Sequence, residues 1–397
     1  MQFFLYIISL VIITCSLFAE SSNYLPDENS WELSTPEMEK ANPSAVKKIM
    51  ELSFDDDATQ AVVIVKNGKI ISEKYADGFD KTSHGTSWSM AKSYYAALIG
   101  ISLDKGEINS LDDRVGEYLD YYNDERYEIT IRDLLNMSSG LDFPRHEHEK
   151  MFFQENHLRY AAGVGLEKKP GEKFEYNNVN SMIIGEILFK VTNKKADTLF
   201  VERILDKIGV NNYKLWRDEA GNVMTYCCVD MSARDYTKIG LLFARNGQWK
   251  KNQIIPKSYV DETFQIVWDT PSRFSDYKRY YSLHWWVSKY EAESKIFNTS
   301  GKFGQYTFVD RENDVVVTRI TKYKQNSDES VQKLGPLKSL QWLGIANAIR
   351  AGRLLLEMQI IEEGTDIVTP YTDEKGESNE FYSSYEEIVN AISDISS

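Results

Sequence analysis

The sequence predicts an α+β fold, an antiparallel sheet flanked by helices that is built from both ends of the chain and interrupted by a mainly helical insertion. Residues 61–78, AVVIVKNGKIISEKYADG, read as two β-rich stretches joined at Asn67-Gly68, a pair suited to a two-residue hairpin turn. The same β-branched and aromatic alternation returns far downstream, in YYSLHWWVSKY, IFNTSG, YTFVD and VVVTRITKY. Between these regions, residues from about 105 to 215 carry helical signals such as TIRDLL and SMIIGEILFKV.

The elements follow in order. PEMEKANPSAVKKIMELS reads as a helix, then comes the hairpin, then an apolar helix starting near Ser89 in SMAKSYYAALIGISLDKG. After the insertion, SARDYTKIGLLFARNG is a helix with Ser232 as its cap and Asp235 as the capping-box acid. Four strand patterns follow, and LKSLQWLGIANAIRAG reads as a closing helix. Past about residue 360 the chain turns acidic and polar (TDEKGESNE), the composition of a loosely ordered tail, although the Tyr and Ile that persist there leave packing of some of it open. The expected division is 1–21 a signal peptide, 22–104 the first part of the α/β domain with the Ser89 helix, 105–215 a mainly helical domain, 216–360 the rest of the α/β domain, and 361–397 the acidic tail. No internal repeat is visible.

Length and composition bound the function. The chain has 397 residues, enough for more than one domain, and a formal net charge of −14, which opposes phosphate backbones and excludes nucleic acid as a partner. The opening MQFFLYIISLVIITCSLFAES is an apolar run followed by small and polar residues, as in a secretory signal, with cleavage expected near Ala19 or Ser21. It has no Lys or Arg before the apolar run, and that run is long enough to leave an uncleaved membrane anchor open. The expected location is therefore exported, with the membrane reached only through this segment. Cys15 lies in a poor lipobox context, and the mature chain keeps Cys227 and Cys228. Adjacent cysteines bridge only with strain, so they read as small buried residues without a stabilising disulfide.

Ser89-Met90-Ala91-Lys92 offers a hydroxyl and an amine three residues apart, on one face of a helix. An adjacent base is how a weak hydroxyl nucleophile is activated, and a helix start points free N–H groups and a positive dipole end at a developing oxyanion. Ser44-Ala45-Val46-Lys47 and Ser330-Val331-Gln332-Lys333 have the same spacing but sit in charged or polar stretches; only Ser89 leads into an apolar helix. Tyr176-Asn177-Asn178 lies between a Pro-Gly turn and a helical run, where a phenol can relay a proton and an amide can donate to an acyl carbonyl. Tyr121-Tyr122-Asn123 repeats that spacing in a charged segment without the turn. Asn298-Thr299-Ser300-Gly301-Lys302-Phe303-Gly304-Gln305 puts glycines at a strand end, where a ligand can approach the backbone closely.

Three such boxes in this order resemble the serine β-lactamase, penicillin-binding protein and DD-peptidase superfamily, whose boxes are S-x-x-K, Y-x-N or S-x-N, and K-T-G or a variant. The resemblance spans about residues 30 to 350 and is nearest to the 6-aminohexanoate-dimer hydrolases and β-lactamase-like carboxylesterases. VVIVKNGKIISEKYADGFD, SWSMAKS, ITIRDLLNMSSGLDF, CCVDMSARDYTKIG, Trp285-Trp286 and GKFGQYTFVD carry it. It implies a β-lactamase/transpeptidase-like fold and an acyl-enzyme route with no cofactor and no metal. By this resemblance Ser89 matches the nucleophile, Lys92 its base, Tyr176 the proton relay and Asn178 the second-box amide. Thr299, Ser300 and Gly301 match the third box, with the backbone N–H of Lys302 as the second oxyanion donor. Lys302-Phe303-Gly304 is the alternative register.

With threonine at the family's cation position, the resemblance implies a small-molecule ester or amide as substrate in preference to a β-lactam. A DD-peptidase or β-lactamase, and a catalytically weak penicillin-binding-like sensor, remain alternatives, and the oligomeric state is open. Arg145-His146-Glu147-His148-Glu149 has histidines two apart and reads as a solvated loop rather than a metal site. His84 and His284 have no G-x-S-x-G elbow to serve, and Ser138-Ser139-Gly140 reads as a structural turn. Trp285 and Trp286 alternate on a strand, one for the core and one for a cleft wall.

Overall fold

Asn42 starts the first helix. Its side-chain oxygen accepts from the Ser44 backbone N–H at 3.0 Å, Pro43 fills a first-turn position that needs no donor, and α1 runs Pro43–Phe54. The helix expected over 36–53 begins late because this cap and proline lie inside the stretch. In the computed structural model the described residues are 30–143, 148–152, 154–271, 278–291, 294–322 and 379–396, with 25–26, 324–325, 358 and 367–368. The N-terminal segment 1–21 and the expected closing helix LKSLQWLGIANAIRAG fall outside them.

Strands β1 (Thr59–Lys66) and β2 (Lys69–Tyr75) form the hairpin, and Asn67 and Gly68 both take left-handed φ angles, 53° and 81°. Next come β3 (His84–Thr86) and α2 (Ala91–Asp104). The insertion holds α3 (Ile131–Leu135), α4 (His148–Phe152), α5 (His157–Ala162), α6 (Asn178–Thr192) and α7 (Ala196–Phe200). Strands β4 (Lys214–Leu215) and β5 (Val229–Ser232) lead into α8 (Ala233–Ala244), capped by Ser232 accepting from the Asp235 N–H. A short pair, β6 (Gln248–Trp249) and β7 (Asn252–Gln253), precedes α9 (Lys257–Thr263).

The remaining strands are β8 (Trp268–Pro271), β9 (Lys278–Ser282), β10 (Trp285–Glu291), β11 (Ser294–Gly301), β12 (Gln305–Asp310) and β13 (Val315–Thr321). They join the hairpin in one antiparallel sheet of order β2-β1-β13-β12-β11-β10-β9-β8, so both chain ends build it, as expected. A smaller sheet, β3-β5-β4, holds the chain just before Ser89. Side chains alternate across β1: Val63 and Val65 enter the larger core with the α2, α6 and α8 residues, while Val62 and Ile64 enter a second core with α1.

In the region 361–397, where the Tyr and Ile residues left packing open, α10 (Asn379–Ser393) packs Tyr385, Ile388, Val389 and Ile392 into the second core, with Ile395 just beyond it. One expectation needs correction. Cys227 and Cys228 are buried as expected but joined by a disulfide across their shared peptide, which is cis. The expectation rested on the strain of bridging neighbouring residues. Among the described residues no helix is long and apolar enough to cross a membrane.

Candidate active site

Ser89 lies in a short helical turn, Trp88–Met90, that runs directly into α2, so its hydroxyl sits at the positive end of that helix. One turn on, the Lys92 amine reaches 2.9 Å from Ser89 Oγ and donates to the Tyr226 carbonyl at 2.8 Å. Lys92 is 1% exposed, and burial holds its pKa well below the ordinary lysine value. Among the described residues no carboxylate lies within ion-pair distance of it. Burial favours the neutral amine, whose lone pair is then available to the Ser89 proton.

The Tyr176 ring lies over Lys92, with Nζ 5.0 Å from the ring centroid. Asn177 caps α6 through the Asn180 N–H at 2.9 Å, which stops the preceding loop where Tyr176 meets Lys92. Asn178 is the first residue of α6 and is half-buried. Behind Tyr176 stands Trp286, stacked at 5.7 Å and 30°, with Tyr281 edge-on to both rings. Trp285 points the other way, into the core against Phe243 and Phe264. The two tryptophans divide as their alternation predicts.

Strand β11 delivers Thr299, Ser300 and Gly301 to the Ser89 turn. A Cβ added at Gly301 would lie 2.2 Å from the Ser87 carbonyl oxygen, so only glycine lets the strand come this close. Beyond it Phe303 takes a left-handed φ of 64°, and Trp88, just before Ser89, one of 44°. These strained residues meet, ring edge to face, at 5.6 Å. Thr299 is 1% exposed and faces the Tyr94 hydroxyl in the helix layer. Lys302 is exposed, its ammonium 5.0 Å from the Phe303 ring centroid. The structure thus gathers Ser89, Lys92, Tyr176 and the end of β11 in one place.

Residues 55–335 match the family described as Beta-lactamase. The chain belongs to that family. Among curated relatives, Protein flp of Staphylococcus aureus (strain COL) is 32% identical over 158 residues, 36% of this chain and 31% of that protein, so the chain spans about a third of the length of this relative. The 6-aminohexanoate-dimer hydrolase of Paenarthrobacter ureafaciens is 19% identical over 69% of this chain and 75% of that one. Among solved structures, a family VIII carboxylesterase superposes with a TM-score of 0.60 at 16% identity, covering 74% of this chain and 93% of that one. With the family match, that similarity shows the fold to be that of the Beta-lactamase family.

Two residues beside this site have roles that the sequence did not assign. Tyr226 holds Lys92 by its backbone carbonyl, a group that carries no residue identity. His284 is 2% exposed and joins three helices: Ser93 Oγ of α2 donates to its carbonyl at 2.6 Å, its Nδ1 lies 2.8 Å from the Leu135 carbonyl of α3, and its Nε2 lies 2.9 Å from Ser181 Oγ of α6. A carbonyl only accepts, so Nδ1 carries the proton and Nε2 accepts from Ser181. Burial, with nearby Lys92, pushes its pKa down to about 3, so the ring stays neutral.

The look-alikes fall elsewhere. Ser44 is exposed on α1, with Lys47 paired to Glu51. Tyr122 is buried under Arg126, and Ser139 Oγ donates to Asn180 Oδ1 at 2.6 Å, anchoring the turn to α6. Ser330 and residues 144–147 lie outside the described residues, with α4 starting at His148. Among the described residues no group of three or more His, Cys, Asp or Glu could hold a metal ion.

Proposed function

We propose that the protein is a serine hydrolase that cleaves a small ester or amide through an acyl-enzyme on Ser89. One observation carries the reading: a buried amine without a carboxylate partner among the described residues, 2.9 Å from a hydroxyl at a helix start. Ser89 Oγ adds to the substrate carbonyl carbon while its proton passes to Lys92. The oxyanion is held by the backbone N–H groups of Ser89 and Lys302, a role supported by the close approach of Gly301 to Ser87. The bond to the alcohol or amine breaks, that group takes a proton from Lys92 by way of Tyr176, and water repeats the sequence to release the acid.

The relatives support the substrate class by their names, a 6-aminohexanoate-dimer hydrolase and a carboxylesterase. So does Thr299, a neutral hydroxyl turned toward Tyr94 where the β-lactam-hydrolysing pattern has a cation. The apolar N-terminal segment supports export, by cleavage near Ala19 or Ser21 or with the segment kept as an anchor. A screen of short-chain p-nitrophenyl esters, linear amides and nitrocefin tests the activity, with Ser89→Ala as control. The variant is expected to lose several orders of magnitude of turnover while remaining folded. A folded Ser89→Ala protein with undiminished hydrolysis contradicts the proposal.

A further inference from the structure

The sheet face opposite α2 carries a chain of contacts that begins outside the three boxes, on α10. Tyr385 is 2% exposed, and its hydroxyl donates to Asn298 Oδ1 at 3.0 Å. Ser288 Oγ bonds to both groups, closing a buried triangle. Asn298 in turn donates from Nδ2 to the Thr299 carbonyl at 3.1 Å. The residue immediately before the third box is therefore held by a hydroxyl from the C-terminal helix.

A second path leaves the same tyrosine. Arg279 lies with its guanidinium carbon 5.6 Å from the Tyr385 ring, 5.9 Å from the Tyr382 ring and 3.9 Å from the Trp286 ring. Among the described residues it has no carboxylate partner; its contacts there are with these aromatic faces and with the Tyr385 hydroxyl. Trp286 is the ring on which Tyr176 stacks at 5.7 Å. One path reaches the strand that closes on the Ser89 turn, the other the phenol over Lys92.

We infer that α10 is a positioning element of the catalytic site, with Tyr385 and Arg279 bracketing the third-box strand and the Trp286–Tyr176 stack. This rests on the reading of Ser89 as the nucleophile. Neither residue touches the reacting atoms; each acts through a neighbour whose placement sets the geometry of attack, where small displacements cost large factors in rate.

The full-length protein tests it. Tyr385→Phe keeps the ring and removes the hydroxyl, Arg279→Lys keeps the charge and removes the planar stack, and Glu386→Gln changes an exposed residue of the same helix as a control. The readouts are the rate at which a fluorophosphonate labels Ser89, kcat and KM for a short-chain p-nitrophenyl ester, and the melting temperature. Labelling is done well below each variant's melting point, and if one of the two does not fold the other decides. The expected result is a loss of about tenfold in labelling rate and kcat for Tyr385→Phe and Arg279→Lys, with KM changed less than about twofold and the control unchanged. Folded variants that label at the unmodified rate overturn the inference while leaving the site reading intact. An unmodified protein that is not labelled on Ser89 overturns both.

Discussion

Lys92 Nζ stands between Ser89 Oγ at 2.9 Å and the Tyr226 carbonyl at 2.8 Å, on a side chain that is 1% exposed. A carbonyl only accepts, so it takes one N–H of the amine. The neutral amine keeps its lone pair for Ser89. Burial, rather than a partner charge, is what keeps it neutral.

Activity should therefore show an acid limb set by Lys92. Its pKa is lowered, so the amine is unprotonated at pH values far below the usual lysine range and gains its proton only as pH falls further. The kcat/KM profile for an ester is expected to drop on the acid side, with that limb well below the ordinary lysine range. Lys92→Arg, which cannot deprotonate, is expected to lose at least about a hundredfold at every pH. A profile that rises only above pH 9 would show that the amine is charged at rest.

Substrate preference follows from the third box. Thr299 faces Tyr94, and Lys302 lies exposed on Phe303, so neither supplies the charge-assisted bond that a β-lactam carboxylate takes from a family lysine. A short-chain ester is expected to exceed nitrocefin in kcat/KM by at least about tenfold. Thr299→Lys buries a charge against Tyr94 and is expected to lower the melting temperature rather than install the missing contact. Nitrocefin turnover equal to ester turnover in the unmodified protein would refute this account of the pocket.

Asp230 makes stability fall with rising pH. On β5 it pairs across the strands with Thr86 and Lys214, its Oδ2 accepts from the Trp216 indole N–H at 2.9 Å, and burial pushes its pKa up to about 7. The folded state then binds more protons than the unfolded one between about pH 4 and 7. Stability drops as pH rises through that window, and the full cost is present above it. Asp230→Asn keeps an acceptor for Trp216 and removes the charge. Its melting temperature is expected to exceed that of the unmodified protein at pH 8, with the gap narrowing as pH falls below 7 and closing near pH 4. A gap that does not change with pH would assign the effect to packing.

What the sequence disclosed was what is local. The Asn67-Gly68 turn, the Ser232 cap and the one-turn spacing of Ser89 and Lys92 each depend on a few neighbouring residues, and all three are legible as letters. The division of Trp285 from Trp286 follows from strand alternation alone. Tyr226 was not legible because it acts through its carbonyl, and His284 because its three partners come from helices far apart in the chain. In the C-terminal region the persisting Tyr and Ile signalled that part of it packs, but the acidic composition obscured the helix, in which Tyr385, Ile388, Val389 and Ile392 mark one apolar face.

The central claim is that Ser89 is the residue acylated. The direct measurement is intact-protein mass after reaction with a fluorophosphonate, followed by peptide mapping of the adduct, for the unmodified protein and for Lys92→Ala and Tyr176→Phe. The account predicts one adduct per chain, on the peptide containing Ser89, formed more slowly in both variants. An adduct on Ser44, Ser139 or Ser330 instead, or equal rates in all three proteins, would contradict it.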